Sequence, residues 1–196
     1  SEIPRLFDSG RMPLDVALIQ VTPPDRSGLC SLGVSVDIVM AAVRNAVTVI
    51  AQVNDRMPWT MGDAMIHVND IDALVEHSEP LPQPEVAERS EVVEQIAKHI
   101  AKLIDDGSTL ELGIGAIPQA VLTYLTDKKD LGIHTEMFTD GLIDLIEAGV
   151  VTGRRKTINP GKVVASFCMG SERLYEFVHN NPMIAMHPTE YVNDPM

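Results

Sequence analysis

The sequence predicts an α/β protein built on open parallel sheets, in parts of two units joined by a proline-rich stretch. Three observations predict it. Apolar runs of strand length, rich in β-branched residues, recur at 14–21 (LDVALIQV), 47–53 (VTVIAQV) and 162–168 (KVVASFC). In the second half, helical spacings separate the strands in the order helix-strand-helix-strand-helix-strand-helix, an alternation that calls for a parallel sheet with helices on its faces. Pro80, Pro82 and Pro84 then stand within five positions, where neither a helix interior nor a ladder strand accommodates them. The expected organisation is a first unit over 1–79, a linker over 80–86 and a second unit over 87–196. At 196 residues the chain is somewhat longer than one domain of ~150 residues.

The first half opens with the strand at 14–21, followed by a turn-rich loop over 22–28 (TPPDRSG). Val36, Val39, Met40 and Val43 at helical spacing predict a helix over 36–45. The run 47–53 reads as a strand buried on both faces. Weak alternation up to Glu79 predicts further short strands. In the second half, Ser90 is placed to cap a helix over 91–105. Val92, Val93, Ile96, Ile100, Leu103 and Ile104 form its apolar face, and Gly107 lies past its end. A strand over 109–112 leads into a tight loop over 113–117, and Pro118 suits the first turn of a helix reaching about Leu125. A second strand covers 131–134. Asp140 is placed to cap a helix over 141–148 ending at Gly149. After the third strand at 162–168, Ser171 is placed to cap a helix to Val178, which Asn180-Asn181-Pro182 closes.

Fifteen Lys and Arg face 28 Asp and Glu, a net charge of −13. A phosphate polymer needs a basic face, so nucleic acid is excluded as a partner, and so is general binding to anionic membranes. Small anionic ligands are not excluded, because backbone N–H groups hold phosphate without net positive charge. Cys30 and Cys168 make neither a disulfide scaffold nor a zinc site. No spacing of His, Asp and Glu resembles a metal site. The expected compartment is a reducing cytoplasm, with no apolar run near the ~18 residues of a membrane span and no signal-peptide pattern. Beginning at Ser1 and stopping just after Asn193-Asp194-Pro195, the sequence reads as an internal segment.

Open parallel sheets bind ligands at the carboxyl ends of their strands. Two loops meet that condition: Gly113-Ile114-Gly115-Ala116-Ile117-Pro118 after the strand 109–112, and His134-Thr135-Glu136 after the strand 131–134. One right-handed crossover sets these strands side by side, ~4.8 Å apart, and Glu136 beside the glycine loop. Gly113 and Gly115 are free to take positive φ and admit a ligand to the backbone, and the N–H groups that follow suit a phosphate, a carboxylate or an oxyanion. A plain strand-to-helix turn is the alternative. A dinucleotide fingerprint is the rival reading, with Glu136 21 residues past Gly115 as the ribose ligand, but Pro118 replaces its third glycine. Glu136 is otherwise a surface charge. His134 shares a strand face with Glu136, as an assistant or as a structural histidine. Arg154-Arg155-Lys156 reads as a solvated turn or a phosphate contact, and the two cysteines as ordinary thiols.

Leu112-Gly-Ile-Gly-Ala-Ile-Pro118, Asp130-Leu-Gly-Ile-His-Thr-Glu-Met137 and Thr139-Asp-Gly-Leu142 resemble the second domain of the acetyl-CoA hydrolase/transferase family, above all its 4-hydroxybutyrate CoA-transferases. Asn159-Pro-Gly-Lys162, Leu174-Tyr-Glu-Phe-Val178, Asn180-Asn-Pro182, Gly28-Leu-Cys-Ser-Leu-Gly-Val-Ser-Val-Asp37 and the stretch 54–62 (NDRMPWTMG) extend the resemblance over essentially the whole chain. The resemblance implies two CoA-transferase-like (NagB/RpiA-like) domains with the active site between them, of which this chain holds the end of the first and the start of the second. It implies Glu136 as the catalytic glutamate and Gly113, Ile114, Gly115, Ala116 and Ile117 as binding CoA or substrate. Gly28, Ser31, Gly33, Asn54 and His134 become secondary contacts of the cleft. It further implies transfer of CoA between an acyl-CoA of acetyl or butyryl type and a small carboxylate such as 4-hydroxybutyrate or acetate. CoA is then a substrate, no cofactor is tightly bound, and the complete protein is a homo-oligomer, dimeric or higher. The family's later glycine-rich CoA-binding segment is not in this sequence. Hydrolysis on the same glutamate, a non-catalytic fragment and a nucleotide-binding module stay open as alternatives.

Overall fold

The computed structural model describes residues 2–84 and 90–194. A short helix α1 (Ile3–Asp8) precedes β1 (Leu14–Val21), β2 (Leu29–Ser31), α2 (Val39–Asn45), β3 (Ala46–Val53), β4 (Met65–His67) and β5 (Ala73–Glu76). Strands β1, β3 and β5 form a parallel sheet in that order, and β2 pairs with β4 antiparallel. Period-two alternation sends Ala17, Ile19 and Val21 of β1, with Val49, Ala51 and Val53 of β3, into the core. The expectation that 47–53 is buried on both faces is corrected. Val47 is 79% exposed, and on the face opposite Val49, Ala51 and Val53 the run's Thr48, Ile50 and Gln52 are only half-buried, beside Val16 and Leu18 of β1 at 50% and 78% exposed, because among the described residues only one face of this sheet is fully covered. Helix α2 begins at Val39, not 36, because residues 34–36 run extended beside the second sheet and Asp37 turns there with φ +40°.

The second half contributes α3 (Glu91–Ala101), β6 (Thr109–Leu110), α4 (Ala116–Leu122), β7 (Gly132–Phe138), α5 (Asp140–Glu147), β8 (Val163–Cys168), α6 (Glu172–Val178), β9 (Ile184–Met186) and α7 (Thr189–Val192). Its four strands form one parallel sheet in the order β6-β7-β8-β9. Each helix between them is the crossover that a parallel neighbour requires. The sequence pattern leaves β9 and α7 unmarked, since each is under five residues long.

Ser90 caps α3 as expected, its Oγ accepting from Val93 N–H at 3.3 Å. The expected apolar face holds in part: Val93, Ile100 and Ile104 pack against the core beside buried Ala97 and Ala101, while Val92, Ile96 and Leu103 are exposed, and Leu103 and Ile104 lie past the end of the helix. Alanines let α3 approach its neighbours closely, and Val93 and Ile100 pack beside them. Asp140 does not cap α5 but is its first residue, after Thr139. Its carboxylate accepts from Ser171 N–H at 2.9 Å and from the Ser171 hydroxyl. Gly170 leaves the space, since a Cβ there would meet Asp140 Oδ2 at 2.1 Å. The two residues expected to cap these helices are thus bonded to each other.

One apolar cluster runs through both halves, with Val21, Leu32, Val36 and Ile66 from the first and Ile133, Phe138, Leu142, Leu174 and Met186 from the second. Polar seams accompany it. Asp63 N–H donates to Met186 O, and Met186 N–H to Met61 O, each at 2.8 Å. Residues 77–84 carry no helix or strand. They are nevertheless tied down, with Tyr175 Oη donating to Pro82 O at 2.5 Å and Leu81 buried. The end of the expected linker, 85–86, lies outside the described residues.

Candidate active site

Pairing of β6 with β7 sets Thr109 beside Gly132 and Leu110 beside Ile133. Two residues on, Thr135 Oγ1 accepts from Leu112 N–H at 2.9 Å and donates to Leu112 O at 3.1 Å. That double bond pins the start of the glycine loop to the middle of β7, one residue from Glu136. The sequence ends this strand at His134; it continues to Phe138, and Glu136 lies inside it. Pairing of Met137 with Phe167 and of Phe138 with Cys168 on β8 carries the strand on. In the loop, Gly115 adopts φ +127°, a conformation for glycine. Gly113 does not use positive φ, and a Cβ at either glycine would meet nothing within 4 Å. Ile114 is exposed and Ile117 borders on exposed.

Glu136 is half-buried, and its Oε2 accepts from Asn193 Nδ2 at 2.5 Å. Asn193 follows α7 directly. His134 lies on the same face of β7. Its Nε2–H donates to Val192 O at 3.0 Å, and its ring stacks on Tyr191 at 6.2 Å. Burial, above all, pushes its pKa below the ordinary histidine value. It is a clamp that holds α7 against β7.

The first half reaches this place through residues 34–37. Val36 and Asp37 N–H donate to Ser166 O on β8 at 3.1 and 3.2 Å, and Thr189 N–H donates to Asp37 O at 2.9 Å. Burial, then the charges of Glu136 and Glu190, push the Asp37 carboxyl above its ordinary value, opposed by a hydrogen bond from the Thr189 hydroxyl. Asp37 therefore lies within electrostatic reach of Glu136.

The other first-half candidates are held by internal contacts. Ser31 Oγ accepts from Gly33 N–H and Thr60 N–H at 3.0 Å. A Cβ on Gly33, at φ +62°, would lie 2.2 Å from Met57 Sδ, and one on Gly28 2.9 Å from His67 Nε2. Asn54 is fully buried, donating to Glu79 O at 2.9 Å and accepting from Arg56 N–H at 2.9 Å. The structure thus brings together Glu136, His134 and residues 113–117, of which Ala116 and Ile117 belong to α4 and not to the expected loop, the helix starting two residues before Pro118. It adds Asp37 and Asn193, and groups Gly28, Ser31, Gly33 and Asn54 in the motif around β2 and β4.

Sequence reasoning singled out neither Asp37 nor Asn193; the motif ending at Asp37 was the available signal for the first. Arg154 and Arg155 are exposed, but Lys156 is buried, which corrects both readings offered for it. Burial pushes the Cys30 thiol up, and the Cys168 thiol up to about 12. Among the described residues, no group of three or more His, Cys, Asp and Glu is placed to hold a metal ion, and no helix is long and apolar enough to cross a membrane.

This architecture is that of CoA-transferases. The structure of a 4-hydroxybutyrate CoA-transferase from Porphyromonas gingivalis matches with a TM-score of 0.94 and 47% identity, over 99% of this chain and 50% of that one. Residues 1–84 match the acetyl-CoA hydrolase/transferase N-terminal domain, which bears out the resemblance to that family. It is 51% identical over 195 residues to the 4-hydroxybutyrate coenzyme A transferase of Clostridium kluyveri, covering 100% of this chain and 46% of that protein. To the succinyl-CoA:acetate/propanoyl-CoA:succinate CoA transferase of Fasciola hepatica it is 48% identical, covering 100% of this chain and 41% of that protein. The chain spans about half the length of the relatives it matches.

Proposed function

We propose that the protein is a CoA-transferase that uses Glu136 as its nucleophile. It moves CoA between an acyl-CoA of acetyl or butyryl type and a small carboxylate such as 4-hydroxybutyrate or acetate. The chain then holds parts of two NagB/RpiA-like domains joined by the proline-rich linker, with the cleft between them, and the complete protein is a cytoplasmic homo-oligomer. The observation that carries the reading is the position of Glu136: in a central strand, one residue past the bond that pins the glycine loop, with one oxygen held by Asn193.

The chemistry follows from that carboxylate. A Glu136 oxygen attacks the thioester carbonyl; a C–O bond forms, the C–S bond breaks, and CoA leaves as a thiolate. The thiolate attacks the glutamyl carbonyl of the resulting anhydride. A C–S bond forms, and the acyl group leaves as its carboxylate. The acceptor carboxylate reverses both steps, and dividing one hard transfer into easier ones is the gain of covalent catalysis. Backbone N–H groups of residues 113–117 supply donors for CoA or for the oxyanions.

In the complete protein, incubation with acyl-CoA is expected to leave a hydroxylamine-sensitive CoA adduct on Glu136, and Glu136→Gln to abolish transfer. Full turnover by Glu136→Gln would overturn the mechanism, and release of free acid without an acceptor carboxylate would mark a hydrolase.

A further inference from the structure

The parallel pairing that fixes Glu136 also fixes its neighbour on β8. His134 stands beside Val164, Thr135 beside Ala165 and Met137 beside Phe167, so Glu136 stands beside Ser166. Paired residues of adjacent strands leave the sheet on the same face, about 5 Å apart. Ser166 is 0% exposed, and its Oγ has no hydrogen-bond partner among the described residues. Such a hydroxyl is uncommon, because burial removes its bonds to water and nothing replaces them. One other buried side-chain atom shares that condition among the described residues, Glu190 Oε2, and its carboxylate lies 3.7 Å from Arg44. The Ser166 backbone, by contrast, is engaged, its carbonyl accepting from Val36 and Asp37 N–H. Those bonds hold the Asp37 backbone against Ser166, which neighbours Glu136 on the next strand.

We infer that the Ser166 hydroxyl is a hydrogen-bond donor to the acyl oxygen of Glu136 during transfer. The inference rests on Glu136 as the nucleophile. When the CoA thiolate adds to Glu136 Cδ, the C–S bond forms and the carbonyl π pair moves onto the oxygen. Ser166 donates its O–H to that oxyanion without giving up the proton. On collapse the pair returns, the anhydride C–O bond breaks, and the acyl carboxylate departs. Asn193, which holds Oε2 in the resting enzyme, leaves the other oxygen to the serine. A donor already fixed beside the reacting carbon, with no other partner to release, stabilises the transition state with little reorganisation.

The test uses the complete protein with acyl-CoA and acetate, in Ser166→Ala and Ser166→Cys. The cysteine is nearly isosteric and carries a weak S–H donor. Removing one oxyanion donor is expected to lower kcat by roughly 10²-fold, with KM within about threefold and an unchanged thermal midpoint, because the hydroxyl has no partner in the resting fold. The Cys variant is expected between Ala and wild type. The inference is overturned if Ser166→Ala keeps kcat within twofold while Glu136→Gln is inactive and the wild type forms its CoA adduct; the nucleophile then stands and the serine does not. It is also overturned if the loss of kcat follows a loss of folded protein. Turnover by Glu136→Gln removes the nucleophile, and the inference with it.

Discussion

Lys156 gives the stability of this fold a pH dependence of definite sign. The residue is 7% exposed, and its Nζ donates to Ile133 O and Lys162 O, both at 2.8 Å. Burial pulls its pKa from 10.5 down to about 8. The unfolded chain keeps the proton up to 10.5, so between pH 8 and 10.5 the unfolded state binds more protons and the fold gains stability as pH rises. At 1.36 kcal/mol per pH unit the full interval is worth about 3 kcal/mol, of which about 1 kcal/mol is reached by pH 9. The neutral amine keeps two N–H donors for its two carbonyl acceptors, so deprotonation does not undo the contacts. Cys168 acts in the opposite sense above pH 9, because its thiol ionises in the unfolded chain and not in the fold. That contribution cancels between wild type and Lys156→Met. The assay is urea unfolding of both proteins between pH 7 and 9.5. Wild type is expected to gain about 1 kcal/mol on the variant from pH 7 to 9. A flat or falling difference would refute the buried-ammonium argument.

Two further perturbations address the seam and the site. In Gly62→Ala the new Cβ lies 2.3 Å from Met186 O and 2.7 Å from Met186 N at a residue with φ +101°. Losing the two hydrogen bonds there at about 1 kcal/mol each, with about 1–2 kcal/mol of backbone strain, predicts a destabilisation of about 3–4 kcal/mol in denaturant unfolding. A cost below about 1 kcal/mol would show that the seam rearranges freely. Asn193→Ala frees the Glu136 carboxylate and is expected to lower kcat of the complete protein about 10- to 100-fold with an unchanged thermal midpoint; steady-state kinetics beside a melting curve decide it.

What the sequence made legible was whatever depends on neighbours along the chain. The alternation in β1 and the run in β3 mark real strands, and Ser90 caps its helix because a cap acts over three residues. Features set by distant partners were misjudged. Strand β7 outruns its apolar stretch because β8 pairs with Met137 and Phe138, so polar Thr135 and Glu136 sit inside a strand. The most buried residues of α3 are the small Ala97 and Ala101, with Val93 and Ile100 of the expected face packed beside them. Asp140 and Ser171 both look like caps, and neither bonds its own helix with its side chain. Of the candidate site, Glu136 and the glycine loop were legible through strand order. Asn193, 57 residues beyond Glu136, and Ser166, one serine in an apolar run, have no local signature.

These distant partners share a physical origin. Glu136 belongs to the second sheet, yet Asp37 of the first half lies within electrostatic reach of it, held by a carbonyl of β8 and by Thr189 at the start of α7. The helix α7 is held in turn by His134 on β7. The strand that carries the carboxylate, the strand beside it and the helix above it are therefore each bonded to the segment 34–37 or to one another. A shift of that segment by one residue would break the bonds of Val36 and Asp37 to the Ser166 carbonyl and of Thr189 to Asp37 together. The continuous apolar cluster beneath these bonds resists such a shift, because close-packed side chains move as a body and not singly. The rigidity that a strand-borne nucleophile needs thus comes from contacts between the two halves as much as from the sheet that carries it.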